Sequence, residues 1–202
     1  MPKIVGGSAH GRLIKSPAYG VRPATARARK ALFDHLAGFI PGARVLDLYS
    51  GSGGLGLEAL SRGAAEAWFV DKSSRSIRIA QENAERLGFD DRSRFAQRDV
   101  FSFLKHFAGY HTASFDLIFA APPYRIAEPA RILEVIALSS AISPGAAVCL
   151  EYARHTPAPK HPRFQLDRRR EYGETVVEIW DFIGQNNAPE KDSQVPTETN
   201  SH

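Results

Sequence analysis

From Arg44 onward the chain alternates between two hydrophobic rhythms. Short strand-like runs at 44–48, 67–71, 93–97, 115–120 and 146–151 are separated by stretches of helical spacing at 54–62, 73–87, 100–107 and 128–139. Strands that alternate with helices in this way predict a parallel sheet covered by helices. Pro144-Gly145 reads as the turn before the last of these strands. The rhythm then changes, and 163–171 with 174–183 reads as two strands joined near Gly173, an antiparallel hairpin that closes the sheet. Ahead of this unit, short apolar runs at 3–5 and 12–14 flank Gly6-Gly7 and His10-Gly11, a hairpin pattern. A helix over about 24–38 follows, with Ala28, Leu32, Phe33, Leu36 and Phe39 on its apolar face and Arg27, Arg29 and Lys30 mainly elsewhere. The expected organisation is therefore an N-terminal extension over 1–40, an α/β domain over 41–184 and a polar, disordered tail over 185–202.

The chain has 202 residues, 43% hydrophobic and 24% charged, which excludes a largely disordered or collagen-like protein. No apolar stretch approaches the roughly 18–20 residues needed to cross a bilayer. The N-terminus lacks the charged-then-apolar layout of a secretory signal. A single cysteine, Cys149, excludes an internal disulfide framework and a thiolate metal site, and it reads as a small buried strand residue. These features lead us to expect a cytoplasmic, monomeric protein with no metal and no membrane anchor. Charge changes the picture further. Residues 1–44 hold eight Lys and Arg against one acid, Asp34, a net +7, and the other 158 residues carry −3. A basic segment on a mildly acidic body suits a polyanionic partner, because each cation set against a phosphate releases counterions.

Chemistry concentrates where strand 44–48 runs into Tyr49-Ser50-Gly51-Ser52-Gly53-Gly54-Leu55-Gly56. Gly51, Gly53 and Gly56 satisfy G-x-G-x-x-G between a strand and a helix. That pattern fits a dinucleotide or S-adenosylmethionine, and Asp47 favours the latter. A carboxylate beside the loop repels a pyrophosphate but suits an ammonium and a sulfonium. Asp71 ends the next strand, 20 residues after Gly51, where an acceptor for ribose hydroxyls belongs. Asp99 follows strand 93–97 and can reach an adenine amino group. Each acid could instead serve as a helix cap or loop acceptor. Three acids at the carboxyl ends of three successive strands fit the ligand-binding edge of an open α/β sheet.

Strand 115–120 ends in Ala121-Pro122-Pro123-Tyr124. This resembles the reaction-site loop of amino-methyltransferases with a Rossmann-like fold, which carry Asp or Asn, then Pro-Pro, then an aromatic. The lone pair of an exocyclic base amine is delocalised into the ring. A side-chain oxygen and the carbonyl of the first proline can hold its protons, while the aromatic stacks on the extruded base. Here Pro122 and Tyr124 can serve and Ala121 cannot. Losing one such hydrogen bond costs on the order of 10²–10³ in rate. Asp116, inside the strand, and Glu151, ending the next one, are not obvious substitutes.

The N-terminal Lys3-Ile4-Val5-Gly6-Gly7, Gly11-Arg12 and Val21-Arg22-Pro23-Ala24-Thr25, with Arg27, Arg29 and Leu32-Phe33, resembles the bacterial RsmD family. Leu46–Gly53 and Leu57–Ala64 match the same family, and the likeness spans roughly residues 3–183. The resemblance implies a class I S-adenosylmethionine-dependent methyltransferase that acts on guanine N2 in small-subunit (16S) ribosomal RNA. Its fold would be Rossmann-like, a seven-stranded, mostly parallel sheet with a C-terminal antiparallel hairpin. Asp47, Tyr49, Ser50, Gly51, Ser52, Gly53, Asp71, Lys72, Asp99 and Val100 would hold the cofactor. Ala121, Pro122, Pro123 and Tyr124 would form the reaction site. Lys3, Arg12, Lys15, Arg22, Arg27 and Arg29 would meet RNA or the assembling small subunit, and Arg168-Arg169-Arg170 reads as an exposed strand end. Two other readings stand beside this one. Ala121 suits an RNA-binding assembly factor of weak activity, and G-x-G-x-x-G alone suits a nicotinamide-dependent oxidoreductase.

Overall fold

The computed structural model describes residues 2–16, 26–107, 114–123 and 128–184. The strands are β1 (Arg44–Leu48), β2 (Glu66–Asp71), β3 (Ser93–Gln97), β4 (Phe115–Ala120), β5 (Ile142–Ala153), β6 (Phe164–Tyr172) and β7 (Thr175–Phe182). They form one sheet in the order β3-β2-β1-β4-β5-β7-β6. Five are parallel, while β7 runs antiparallel to β5 and β6 antiparallel to β7. The helices are α1 (Ala26–His35), α2 (Gly54–Ser61), α3 (Ser74–Leu87), α4 (Val100–His106) and α5 (Pro129–Leu138). This is a Rossmann-like class I S-adenosylmethionine-dependent methyltransferase fold with a C-terminal antiparallel hairpin. The strand order reverses between β1 and β4, and ligands bind outside the carboxyl ends of strands at such a switch point.

Strand alternation sends side chains to two cores. Leu46 and Leu48 of β1, Ile118 of β4 and Val148 and Leu150 of β5 pack under α4 and α5. Val45, Leu117, Phe119, Ala147 and Cys149 face α1–α3 and the N-terminal segment. Phe33 of α1 meets Phe119 with ring centroids 5.4 Å apart, and its truncation would cost about 3–5 kcal/mol. By the same alternation Asp47, Ala121 and Glu151 fall on the side of α1–α3, at the carboxyl edge of the sheet.

The N-terminal segment pairs its two arms as the hairpin its pattern predicts. Lys3 and Leu13 form an antiparallel bridge, flanked by Ile4 N–H donating to the Arg12 carbonyl at 3.0 Å and Ile14 N–H to the Pro2 carbonyl at 2.9 Å. The hairpin is also strapped to α2. Ser8 N–H donates to the Ser61 carbonyl at 2.8 Å, Ser61 Oγ donates to the Gly6 carbonyl at 2.6 Å, and Val5 N–H donates to Glu58 Oε2 at 2.7 Å. Gly7 makes this approach possible, since at φ +73° an added Cβ would lie 1.9 Å from the Ser61 oxygen. The last parallel strand also starts earlier than expected. Ser143-Pro144-Gly145 lies within β5, where the register jumps from Phe115–Ile142 to Leu117–Ala147. A bulge there absorbs the proline and glycine that read as a turn. The expected tail lies outside the described residues. Among those described, no helix is long and apolar enough to cross a membrane.

Candidate functional site

A cavity of about 610 Å³ opens at the carboxyl edge of the sheet, within the usual range for a small-molecule site. The β1–α2 loop forms its floor. Asp47, at the end of β1, is buried, and its Oδ2 accepts from Gly56 N–H at 2.9 Å across the first turn of α2. Burial pushes this carboxyl up to about 8, against the downward pull of that hydrogen bond. Gly56 itself packs on Phe69, whose ring an added Cβ would meet at 2.4 Å. Tyr49 carries the loop's strain, a non-glycine residue at φ +58°. Such a conformation costs on the order of 1–2 kcal/mol, and here it belongs to a residue that lines the cavity.

Asp71 fixes the loop from β2. Its Oδ2 accepts from Gly51 N–H at 3.0 Å and its Oδ1 from Ser73 N–H at 2.8 Å. Ser73, not Asp71, caps α3 through its hydroxyl. Asp99 caps α4, accepting from Ser102 N–H at 3.0 Å. These loop and cap bonds leave all three acids on the cavity wall, since Asp47, Asp71 and Asp99 all line it. Tyr49, Ser50, Gly51, Ser52, Lys72 and Val100 line it as well. Gly53 stands behind the cavity, where it caps α2 at φ +81° and packs near Phe69 and Ala80.

Ala121 and Pro123 line the same cavity, Pro122 is buried behind it, and Tyr124 lies outside the described residues. Glu151, discounted from the sequence as a substitute for a missing acid, proves to be a wall residue of this cavity. The β4–β5 register pairs Ala120 with Leu150, so Ala121 and Glu151 come next on adjacent parallel strands. Sequence position alone hides this, because the two are 30 residues apart. Other lining residues also went unread: Pro2, Ile14 and Ser16 of the strap, Phe101 of α4, and Arg131 of α5. The Arg131 guanidinium lies 4.7 Å over the Phe101 ring.

The basic residues scatter. Arg12 donates to the carbonyls of Arg86 and Leu87 at the end of α3, and Lys15 pairs with Glu82 at 2.6 Å. Arg29, expected away from the apolar face of α1, is buried and reaches the cavity, with Nη1 donating to the Lys3 carbonyl at 3.3 Å. Burial lowers its pKa, and the carboxylates of Glu58 and Glu151 oppose that shift. Lys3 and Arg27 are exposed, and Arg22 lies outside the described residues.

S-adenosylmethionine fits this donor set. Ser50 Oγ is buried with no hydrogen-bond partner among the described residues, which leaves a polar atom for a ligand to satisfy. Asp71 and Asp47 hold backbone N–H groups of the glycine loop and its helix, and Asp99 lines the same cavity, a set of carboxyl groups that suits a ligand carrying an ammonium and a sulfonium.

Residues 2–181 match the family described as Conserved hypothetical protein 95. The chain belongs to this family. Its relatives include the candidate rRNA methyltransferase YlbH of Bacillus subtilis, 30% identical over 180 residues, which span 88% of this chain and 97% of that protein. Ribosomal RNA small subunit methyltransferase D of Escherichia coli K12 is 36% identical over 124 residues, 61% of this chain and 60% of that one. Among solved structures, the candidate methyltransferase yhhF of Escherichia coli superposes with a TM-score of 0.80 at 28% identity, covering 91% of this chain and 99% of that one.

Proposed function

We propose that this chain transfers a methyl group from S-adenosylmethionine to the N2 amine of a guanine in small-subunit ribosomal RNA. One observation carries the reading. A single cavity joins the glycine loop and its three acids to the loop that begins at Ala121. Asp47 would face the cofactor's ammonium, Asp71 its ribose hydroxyls, and Asp99 with Val100 its adenine. The bound cofactor supplies a methyl on a sulfonium. On the other side of the cavity the Pro122 carbonyl and the Glu151 carboxylate hold the protons of the amine, so that its lone pair is aimed at the methyl. The methyl would pass to the amine nitrogen without the C–S bonding pair, which would remain on sulfur. The surplus proton on nitrogen passes to Glu151 and on to water. Pro2 and Ile14 help exclude solvent.

Titration calorimetry with S-adenosylhomocysteine, followed by mass mapping of RNA from precursor small subunits, tests this. Binding and a new N2-methylguanine are expected. Binding of NAD without binding of S-adenosylhomocysteine would replace the reading with an oxidoreductase. Cofactor binding with no methylated guanine would favour the assembly-factor reading, which the alanine at position 121 supports.

A further inference from the structure

Several cations of the basic N-terminal segment are taken up at the surface by the chain itself, Lys15 by Glu82, Lys30 by Asp34 and Arg12 by the carbonyls that end α3. Several arginines have no salt-bridge partner among the described residues, Arg75, Arg94 and Arg163 among them, but Arg168 and Arg170 of β6 lie together beside α1, which carries the exposed Arg27. Arg168 and Arg170 sit two apart on the strand, so they share a face, and that face turns toward α1. With Leu32, His35 and Tyr172 they line a shallow groove between α1 and the hairpin. Arg169, on the opposite face, is taken up by Glu178 and Glu171. His35 of the groove is paired with Asp167 at 2.5 Å.

The groove lies near the cavity. Arg170 is in register with Val177 and Val177 with Glu151, so Arg170 lies two strands from a wall residue of the cavity. At about 4.8 Å per strand, this is on the order of 10 Å. Helix α1 adds an independent sign. Its first turn holds Arg27 and no acid, although an N-terminus favours anions and disfavours cations. Helix stability gives no reason for a cation at that position, whereas an external polyanion does.

Resting on the RNA-methyltransferase reading, we propose that the groove between α1 and β6 is the RNA-docking surface. Arg27, Arg168 and Arg170 meet the phosphates that flank the nucleotide held in the cavity. The N-terminal segment, in contrast, acts mainly as a strap. Each phosphate contact contributes about 0.7–0.9 to the slope of log affinity against log salt.

Native chain and the double variant Arg168→Glu/Arg170→Glu are titrated with labelled single-stranded RNA of mixed sequence at several salt concentrations. Calorimetry with S-adenosylhomocysteine runs in parallel. A loss of RNA affinity of about tenfold or more, with a salt slope shallower by about 1.5, is expected. Cofactor affinity should be unchanged. The same charge change at Arg78 and Arg94, on α3 and β3, should leave RNA affinity near native. If the glutamates impair folding, Arg168→Gln/Arg170→Gln gives the same readout with a smaller change. RNA affinity and slope equal to native in a folded variant overturn the docking surface and leave these arginines as guards of an edge strand against pairing. A native chain that binds cofactor but no RNA overturns the RNA reading as well, so the two failures are distinct.

Discussion

Ala121 and Glu151 stand side by side at the carboxyl ends of β4 and β5, and both border the cavity that holds the glycine loop. The reaction-site loop carries no acid of its own, and the neighbouring strand brings one to the same place. Glu151→Gln should lower methyl transfer by about 10²-fold, the usual effect of losing one interaction tuned to a transition state. Affinity for S-adenosylhomocysteine should stay within a few-fold of native. Ala121→Asp in the Glu151→Gln background should recover most of the loss. Native turnover in the single Glu151→Gln variant would show that the amine is held elsewhere.

Asp47 couples cofactor binding to pH. The folded, ligand-free protein keeps this proton up to about pH 8, while the unfolded chain loses it near the ordinary value of 3.8. Asp47 therefore contributes stability in full below the lower value and progressively loses that contribution as pH rises toward 8. A cationic ligand beside the carboxyl reverses the preference and expels the proton. Binding of S-adenosylmethionine between those limits should release up to one proton, and affinity should climb with pH before levelling near 8. Calorimetry in two buffers of different ionisation enthalpy measures the release. Asp47→Asn keeps an acceptor for Gly56 N–H but should abolish the proton release and weaken binding. A native release of zero would show that Asp47 does not face the charge.

Gly56 is a packing requirement of the loop. An added methyl would press on Phe69, itself stacked on Phe95 at 5.1 Å between centroids. Gly56→Ala should cost about 1–3 kcal/mol through overpacking. Thermal or denaturant unfolding measures that loss, and cofactor affinity should fall with it because Gly56 N–H holds Asp47. Unchanged stability would mean that Phe69 can step aside.

The order and type of the elements were legible because buried parallel strands and amphipathic helices have distinct periods. The glycine loop and its three acids were legible too, since their spacing lies within consecutive βα units. Two kinds of information were not. Ala121 and Glu151 become neighbours only through the β4–β5 register, which no local pattern encodes. The partners of Arg12 and Lys15 lie on α3, far away in sequence, so the basic segment read as a free surface when two of its exposed cations are held by the chain itself. Ser143-Pro144-Gly145 misled for a third reason, because a bulge tolerates the residues that ordinarily mark a turn.

Glu58 is the anchor of the strap. Wholly buried on α2, it accepts from Val5 N–H through Oε2 and from Arg62 Nε through Oε1 at 2.8 Å. Arg62 in turn lies over Phe33, its guanidinium carbon 5.2 Å from the ring centre. Glu58→Gln removes the charge that both donors share and turns an amide N–H toward one of them. Breaking a buried pair from one side costs roughly 3–5 kcal/mol. Part of that cost should appear as release of residues 2–14 from α2, because Val5 N–H loses its carboxylate acceptor there. Limited proteolysis should then cut the Glu58→Gln variant within the strap well before the sheet unfolds. Cofactor affinity should drop as Pro2 and Ile14 leave the cavity wall. Reversing Arg12 should loosen the same segment from α3 to a smaller extent, since an anion at a helix C-terminus costs about 0.3–1 kcal/mol. Cleavage of both variants at the native rate would mean that the strap is held by its apolar residues, Ile4, Ala9 and Ile14, and its bonds to Ser61.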